Sequence, residues 1–282
     1  MRVLVTGASG FIGSALVPQL LAQGHAVTAL ARERSRLAAQ PWHGAVRLVE
    51  ADIAQVGAAQ LAAIGAQDAV VHLAWPGLPN YHALFHLEDN LPAAYRFLRQ
   101  LVHAGVPQVL VAGTCFEYGA HSGALAETLP AQPDNAYAVA KDGLRRYLQC
   151  LQRQQPFTLQ WARLFYMHGP GQHPNSLLAQ LDRALDAGAA QFPMSGGEQL
   201  RDYLPVAEVA RRLALLLAHP ALHGVVNVCS GQPVAVRTLV ERHLARRGRH
   251  IALQLGHHPY PAHEPMAFWG DGSRLAALET SA

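Results

Sequence analysis

Arg2-Val3-Leu4-Val5-Thr6-Gly7-Ala8-Ser9-Gly10-Phe11-Ile12-Gly13 stands at the head of the chain. Residues 2–6 are a short apolar run of the kind that forms a buried strand. Three glycines follow at a GxxGxxG spacing, and an amphipathic run from Ala15 to Gln23 ends at Gly24. The order is strand, tight turn, helix. Gly7 permits the turn, Gly10 lets the main chain approach a pyrophosphate, and Gly13 lets helix and strand pack closely. The helix N-terminus then offers free N–H groups and a positive dipole end to phosphate. The segment is thus predicted to bind a dinucleotide, with Ser9, Phe11 and Ile12 in the turn beside Gly7, Gly10 and Gly13. A glycine-rich turn that holds no ligand is the plainer alternative.

The rest of the chain repeats the pattern. Ala26–Ala31, Val46–Glu50, Ala69–Leu73, Val109–Gly113 and Thr158–Leu164 read as strands, with helical stretches at Ala83–His103 and Asn135–Gln154. Successive βαβ units predict an α/β fold, a Rossmann-type doubly wound parallel sheet covered on both faces. Ligands in such sheets bind beyond the carboxyl ends of the strands. Asp52-Ile53, Leu73-Ala74 and Thr114 all fall there. After Tyr166 the pattern loosens. His168–Gly171 reads as a turn, Asn175–Ala187 and Ala207–Ala218 as helices, Arg201–Val206 as a short polar-to-apolar segment and Val225–Cys229 as one more strand. We expect a dinucleotide-binding domain over 1–165, its sheet completed by about 203–230. A small C-terminal substrate-binding lobe would come from 166–200 and 232–282.

The end of the second strand bears on the cofactor. An acid there holds a ribose 2′-hydroxyl. Here the position reads Ala31 and is followed by Arg32-Glu33-Arg34-Ser35-Arg36. An arginine can pair with a 2′-phosphate, so NADP(H) is expected, with Arg32 first and Arg36 second as its partners. A solvated basic loop is the alternative.

Lys141 is the only lysine among 22 basic residues, and it follows Tyr137 by four positions. Residues four apart share a helix face. A phenol and an ammonium on one face are suited to proton transfer, the ammonium being expected to lower the tyrosine pKa toward neutrality. A chance pair on a surface helix is the competing reading.

Composition narrows the rest. The formal charge is +3, half the residues are hydrophobic and 15% are charged. The arginines are dispersed with no basic stripe, which argues against nucleic acid. No segment approaches 18 uninterrupted apolar residues, so no membrane span is expected. A strand beginning at Arg2 leaves no room for a signal peptide, and three scattered cysteines (Cys115, Cys150, Cys229) suit a reducing compartment; the expectation is cytoplasmic. Sixteen histidines are many. His257-His258 and His263-Glu264 lack metal-ligand spacing, and prolines at 259, 261 and 265 interrupt them; no metal is expected.

Together these residues resemble the extended short-chain dehydrogenase/reductase family, in its nucleotide-sugar epimerase/dehydratase branch. The resemblance rests on Thr6–Gly13, His72-Leu73-Ala74, Tyr118-Gly119, Tyr137 with Lys141, Gly169-Pro170-Gly171, Arg201-Asp202-Tyr203 and Asn227 through Gly231. It implies Tyr137 as general acid/base, Lys141 on the nicotinamide ribose, and Thr114 on the reacting oxygen with Cys115 beside it. It further implies Asp52 and Ile53 at the adenine, Leu73 and Ala74 along the cofactor, and Arg201 on a nucleotide diphosphate. Asn175 is a second substrate contact by resemblance, although a helix N-cap is its simpler role. A 4,6-dehydratase of this family needs an acidic pair directly after the threonine; here Cys115 and Phe116 occupy those places. Glu117 is expected to face away from Thr114 by strand alternation. The function implied is NADPH-dependent reduction of a nucleotide-linked 4-keto-6-deoxyhexose, of the dTDP-4-dehydro-6-deoxyglucose reductase type. A nucleotide-sugar 4-epimerase is the alternative, and a non-catalytic NADP-binding sensor is the alternative of another class. A homodimer built from the helices at 83–103 and 135–154 is also implied.

Overall fold

The computed structural model describes residues 1–260 and 264–279. Its centre is a parallel sheet of seven strands. In chain order the first five are β1 (Arg2–Thr6), β2 (Ala26–Ala31), β3 (Arg47–Glu50), β4 (Ala69–His72) and β5 (Gln108–Thr114). A short β6 (Gly123–Leu125) lies outside this sheet, and β7 (Thr158–Leu164) returns to it. Beyond these come β8 (Tyr166–His168), β9 (Gln191–Pro193), β10 (Leu200–Pro205) and β11 (Gly224–Val228). The last three are β12 (Pro233–Ala235), β13 (Ala252–Gln254) and β14 (Phe268–Gly270). The order β11-β7-β5-β4-β1-β2-β3 reverses direction between β1 and β4. That switch point opens a crevice at the carboxyl ends of the strands.

Near-continuous apolar strands demand cover on both faces. One face packs α1 (Phe11–Ala22) and α7 (Val206–Ala218), with Leu16, Val17, Leu20, Leu213 and Leu217 in its core. The other packs α4 (Leu91–His103) and α5 (Ala136–Gln154), burying Phe97, Leu98, Leu144 and Leu148. The remaining helices are α2 (Arg34–Ala38), α3 (Ala58–Ile64), α6 (Leu177–Asp186), α8 (Val236–Arg247) and α9 (Ser273–Glu279). The small lobe has its own core, where Leu181, Phe192, Met194, Val240 and Ile251 meet between α6, α8 and the β9–β13 pair. Among the described residues, no helix is long and apolar enough to cross a membrane.

Several expectations shift. Helix α1 begins at Phe11 rather than Ala15, which puts Gly13 in its first turn. The helix expected over 83–103 divides into a wide turn at His86–Asn90 and α4. Pro92 stands in the first turn of α4, and its missing N–H breaks the ladder. Within 203–230 only β11 joins the large sheet; Tyr203 lies in β10, the middle strand of a separate β12-β10-β8 sheet. His168, read as the start of a turn, ends β8, which pairs with β10 in that sheet. Helix α8 was not foreseen: its arginine-rich face blurs the apolar period, although Gly248, left-handed at φ 58°, marks its end.

Candidate functional site

The turn after β1 is built by close contacts. Gly7 sits at φ +68°, and a Cβ there would lie 2.9 Å from the main-chain nitrogen of Ala74 in the loop after β4. A Cβ on Gly13 would come within 2.3 Å of the Gly7 oxygen. The N-cap, Gly10, has no side-chain acceptor, so nothing from the cap itself satisfies the first N–H groups of α1. Such a cradle fits a pyrophosphate. Thr6 ties the two loops together: its hydroxyl accepts from Ala74 N (3.2 Å) and lies 2.9 Å from His72 Nδ1. His72 is fully buried, and burial holds it neutral with a pKa of about 3.

A cavity of about 970 Å³ runs from this turn across the switch point. Gly7, Ser9, Gly10, Phe11, Ile12 and Gly13 form one wall, and Leu73 and Ala74 the rim after β4. Arg32 and Arg36 line the far end, and so does Glu33, which lies between them in sequence. Asp52 and Ile53 complete that end; the Asp52 carboxylate accepts from Ala54 N (2.9 Å), fixing the turn that presents them. Every expected cofactor residue thus lines one cavity whose shape and free N–H groups suit a dinucleotide.

Tyr137, Lys141, Thr114 and Cys115 line the same cavity nearer the small lobe. Lys141 Nζ donates to Ala112 O (2.9 Å) and stands 4.0 Å above the Trp75 ring. Burial lowers its pKa to about 7, and the Glu117 carboxylate pulls the other way. The Tyr137 phenol is raised above the ordinary tyrosine value, first by burial and then by Glu117 and Tyr81, while the neighbouring Thr114 side chain opposes the rise. This corrects the expectation that Lys141 draws the phenol toward neutrality. The ammonium is turned to Ala112 and Trp75, and in a dry site desolvation outweighs a cation so engaged. The Tyr137 phenol is therefore protonated at neutral pH.

Glu117 also departs from expectation. Cys115–Tyr118 is a 3₁₀ turn, not a continuation of β5, and the turn swings Glu117 back under Thr114. Oε1 accepts from Thr114 N (2.9 Å) and Trp161 Nε1 (2.9 Å), and Oε2 accepts from Arg163 Nε (2.8 Å). Cys115 is buried, with its thiol pushed up to about 12 by desolvation.

Arg201 was expected to grip a diphosphate. In the structure it is buried and donates to Glu264 Oε2 (3.0 Å), with its guanidinium 4.5 Å from the Phe268 ring centroid. It lies outside the cavity lining, and the neighbouring Asp202 accepts from Ser230 N and Gly231 N. Asn175 lines the cavity but is not a cap: Ser176 occupies the N-cap of α6. His263 lies outside the described residues, and among the described residues no three His, Cys, Asp or Glu side chains gather to hold a metal.

Sequence reasoning missed an aromatic shell. The rings of Trp75, Tyr81 and His86 stand 6.1, 5.6 and 5.4 Å from that of Tyr137, and Tyr81 meets Phe116 edge-on at 5.1 Å. Trp75 Nε1 donates to His86 Nδ1 (3.1 Å). Trp75 could have been found, since it directly follows Leu73-Ala74 at a strand's carboxyl end; Tyr81 and His86 arrive by tertiary packing.

The family model of the "NAD dependent epimerase/dehydratase family" matches residues 3–229. One relative is a dTDP-6-deoxy-L-talose 4-dehydrogenase (NAD(+)) of Aggregatibacter actinomycetemcomitans. It is 28% identical over 272 residues, covering 96% of this chain and 99% of the relative. Another, the dTDP-6-deoxy-L-talose 4-dehydrogenase (NAD(P)(+)) of Kitasatospora kifunensis, is 31% identical over 85% of this chain and 77% of its own. Among solved structures, MoeE5 in complex with UDP-glucuronic acid and NAD superposes with a TM-score of 0.82 at 28% identity. That match covers 99% of this chain and 92% of MoeE5. DesIV, the dTDP-glucose 4,6-dehydratase of Streptomyces venezuelae with NAD and TYD bound, gives 0.80 at 26%, over 98% of this chain and 90% of its own. The chain belongs to the NAD dependent epimerase/dehydratase family, and it is an oxidoreductase of the short-chain dehydrogenase/reductase type.

Proposed function

We propose that this family member reduces the 4-keto group of a nucleotide-linked 4-keto-6-deoxyhexose with NADPH. The observation that carries the reading is a buried phenol, kept protonated by that burial, lining the same cavity as Thr114, Lys141 and the glycine cradle. When bound, the dihydronicotinamide supplies the hydride. The protein's part is to give a proton to the carbonyl oxygen as negative charge develops there. Tyr137 is the donor, and Thr114, which lines the same cavity, would hydrogen-bond the reacting oxygen. Lys141, lining the same cavity, would hold the nicotinamide ribose. Cys115 and Phe116 offer no carboxylic acid, which favours ketone reduction over dehydration. The two relatives named as 6-deoxytalose 4-dehydrogenases support a 4-keto/4-hydroxy interconversion on a 6-deoxy sugar.

Arg32 and Arg36 at the far end of the cavity support NADP(H). Glu33 lines the same end and favours a second reading, NAD with the carboxylate on the ribose 2′-hydroxyl. KM values for NADPH and NADH separate the two. Arg201 would serve the diphosphate after exchanging Glu264 for it. Helices α4 and α5 would form a homodimer: α5 leaves Val139 and Tyr147 exposed, and Tyr95 of α4 packs on Tyr147. Light scattering in solution tests that, with a monomer sinking it.

The activity test is incubation with NADPH and a panel of 4-keto-6-deoxy nucleotide sugars, followed by loss of the dihydronicotinamide absorbance. Tyr137→Phe should abolish turnover and leave NADPH binding nearly unchanged. Survival of turnover rejects the donor assignment. Interconversion of UDP-glucose and UDP-galactose without net oxidation would establish the 4-epimerase instead. NADPH binding with no turnover of any panel member would point to a sensor.

A further inference from the structure

The Glu117–Arg163 pair is fully buried, at 0% and 2% side-chain exposure. Such a pair forfeits the solvation of both charges, and apolar replacements are often no less stable. Stability is therefore a poor account of its presence, and Arg163 Nη1 finds no partner among the described residues. Its geometry points elsewhere. Gly113 has no room for a Cβ: one would lie 2.3 Å from Trp161 Nε1 and 2.7 Å from Glu117 Oε1. The bare main chain lets the carboxylate come up behind β5 and accept from Thr114 N. Arg163 holds the other oxygen, and Trp161 bridges both at 2.9 and 3.0 Å. Each oxygen is held, so the turn that carries Thr114 is clamped from below.

We propose that Glu117, braced by Arg163 and Trp161, is a positioning residue that fixes the Thr114 main chain and lays a negative charge beneath the Tyr137–Lys141 pair. This rests on the donor role given to Tyr137. The groups that feel the carboxylate are Cys115 on its own turn, Arg163 on β7, and Tyr137 and Lys141 on α5. The charge pushes the pKa of both α5 groups upward, adding to burial at the phenol and opposing it at the lysine. A protonated phenol is the state a proton donor to a carbonyl oxygen needs.

Two substitutions separate geometry from charge. Glu117→Ala leaves the Thr114 N–H without an acceptor and should lower kcat about 100-fold, with NADPH Kd within about twofold of wild type. Glu117→Gln keeps an acceptor but removes the charge. It should lower kcat about tenfold and move the alkaline limb of kcat to lower pH, because Tyr137 and Lys141 then lose their protons earlier. The substrate is the dTDP-4-keto-6-deoxy sugar of the proposed reaction. Hydrogen exchange at the Thr114 amide supplies a readout that needs none: slow in wild type, fast in Glu117→Ala. Wild-type kcat with an unmoved pH limb in folded variants overturns the proposal. So does a fall in kcat that merely tracks lost NADPH affinity and melting temperature. Where a single variant fails to fold, Glu117→Gln with Arg163→Met leaves neither charge unpaired and carries the same test. Tyr137→Phe run alongside keeps the readings apart: turnover surviving in it rejects the donor, while exchange at Thr114 still judges Glu117.

Discussion

Gly13→Ala is a sharp test of the cofactor cradle. The added Cβ would lie 2.3 Å from Gly7 O and 2.7 Å from both Cα and O of Ala8. Ordinary contact is about 3.5 Å, so roughly 1 Å of separation must open. All three obstacles are main chain, and no side chain can turn aside. Strand β1 is fixed by β2 and β4 on either side, and α1 is pressed by α7, so the strain has no cheap outlet. Overpacking of this kind costs about 1–3 kcal/mol. At 2–4 °C per kcal/mol the melting temperature should fall by roughly 2–12 °C. The N–H groups of the turn move with it, and NADPH affinity should fall at least about tenfold, or 1.4 kcal/mol. Differential scanning fluorimetry and a titration of NADPH fluorescence read the two effects. Gly44→Ala is the control, since a Cβ there meets nothing within 4 Å and its φ is not positive. A Gly13→Ala protein that melts with the wild type and binds NADPH equally would refute the reasoning.

Other outcomes follow from the site. Lys141 has a folded pKa of about 7, below the unfolded value of about 10.4, so between them the unfolded chain binds more protons and stability rises with pH. Urea melts of the cofactor-free protein between those values should show that rise at up to about 1.4 kcal/mol per pH unit, and Lys141→Met should flatten it; an unchanged slope contradicts the burial account. Arg32→Ala should weaken NADPH about 10- to 100-fold and spare NADH, as loss of a charge-assisted hydrogen bond requires; equal loss for both coenzymes removes Arg32 from the 2′-phosphate. Arg201→Ala should raise KM for a nucleotide-diphosphate sugar by about 10-fold or more while leaving reduction of a small ketone untouched; no change in KM leaves Arg201 a partner of Glu264 only.

The parts of this protein that were legible in its sequence are those written by local spacing. Strand, glycine turn and helix are consecutive, so their chemistry reads directly from Thr6 to Gly13. Tyr137 and Lys141 share a helix face and appear together for the same reason. What escaped depends on where the chain goes next. Glu117 was assigned to a strand's far side, and the 3₁₀ turn at Cys115–Tyr118 reversed it. The pull of Lys141 on Tyr137 was judged from proximity alone, but burial, a property of the whole fold, dominates both groups. Arg201 finds Glu264 sixty-three residues later, a pairing no local pattern discloses. Tyr81 and His86 reach Tyr137 by tertiary packing from the segment after β4, and the helix read over 83–103 takes in only His86.

Lys141 has a practical corollary. A protease that cuts only after lysine has one site in this chain, and it divides the polypeptide into two halves of equal length. That bond sits inside α5 with its side chain almost wholly enclosed, so the native protein should resist and only the opened form be cut. The amount of half-length fragment then counts excursions of α5, and its suppression by added dinucleotide would report occupancy of the pocket without any dye, label or turnover.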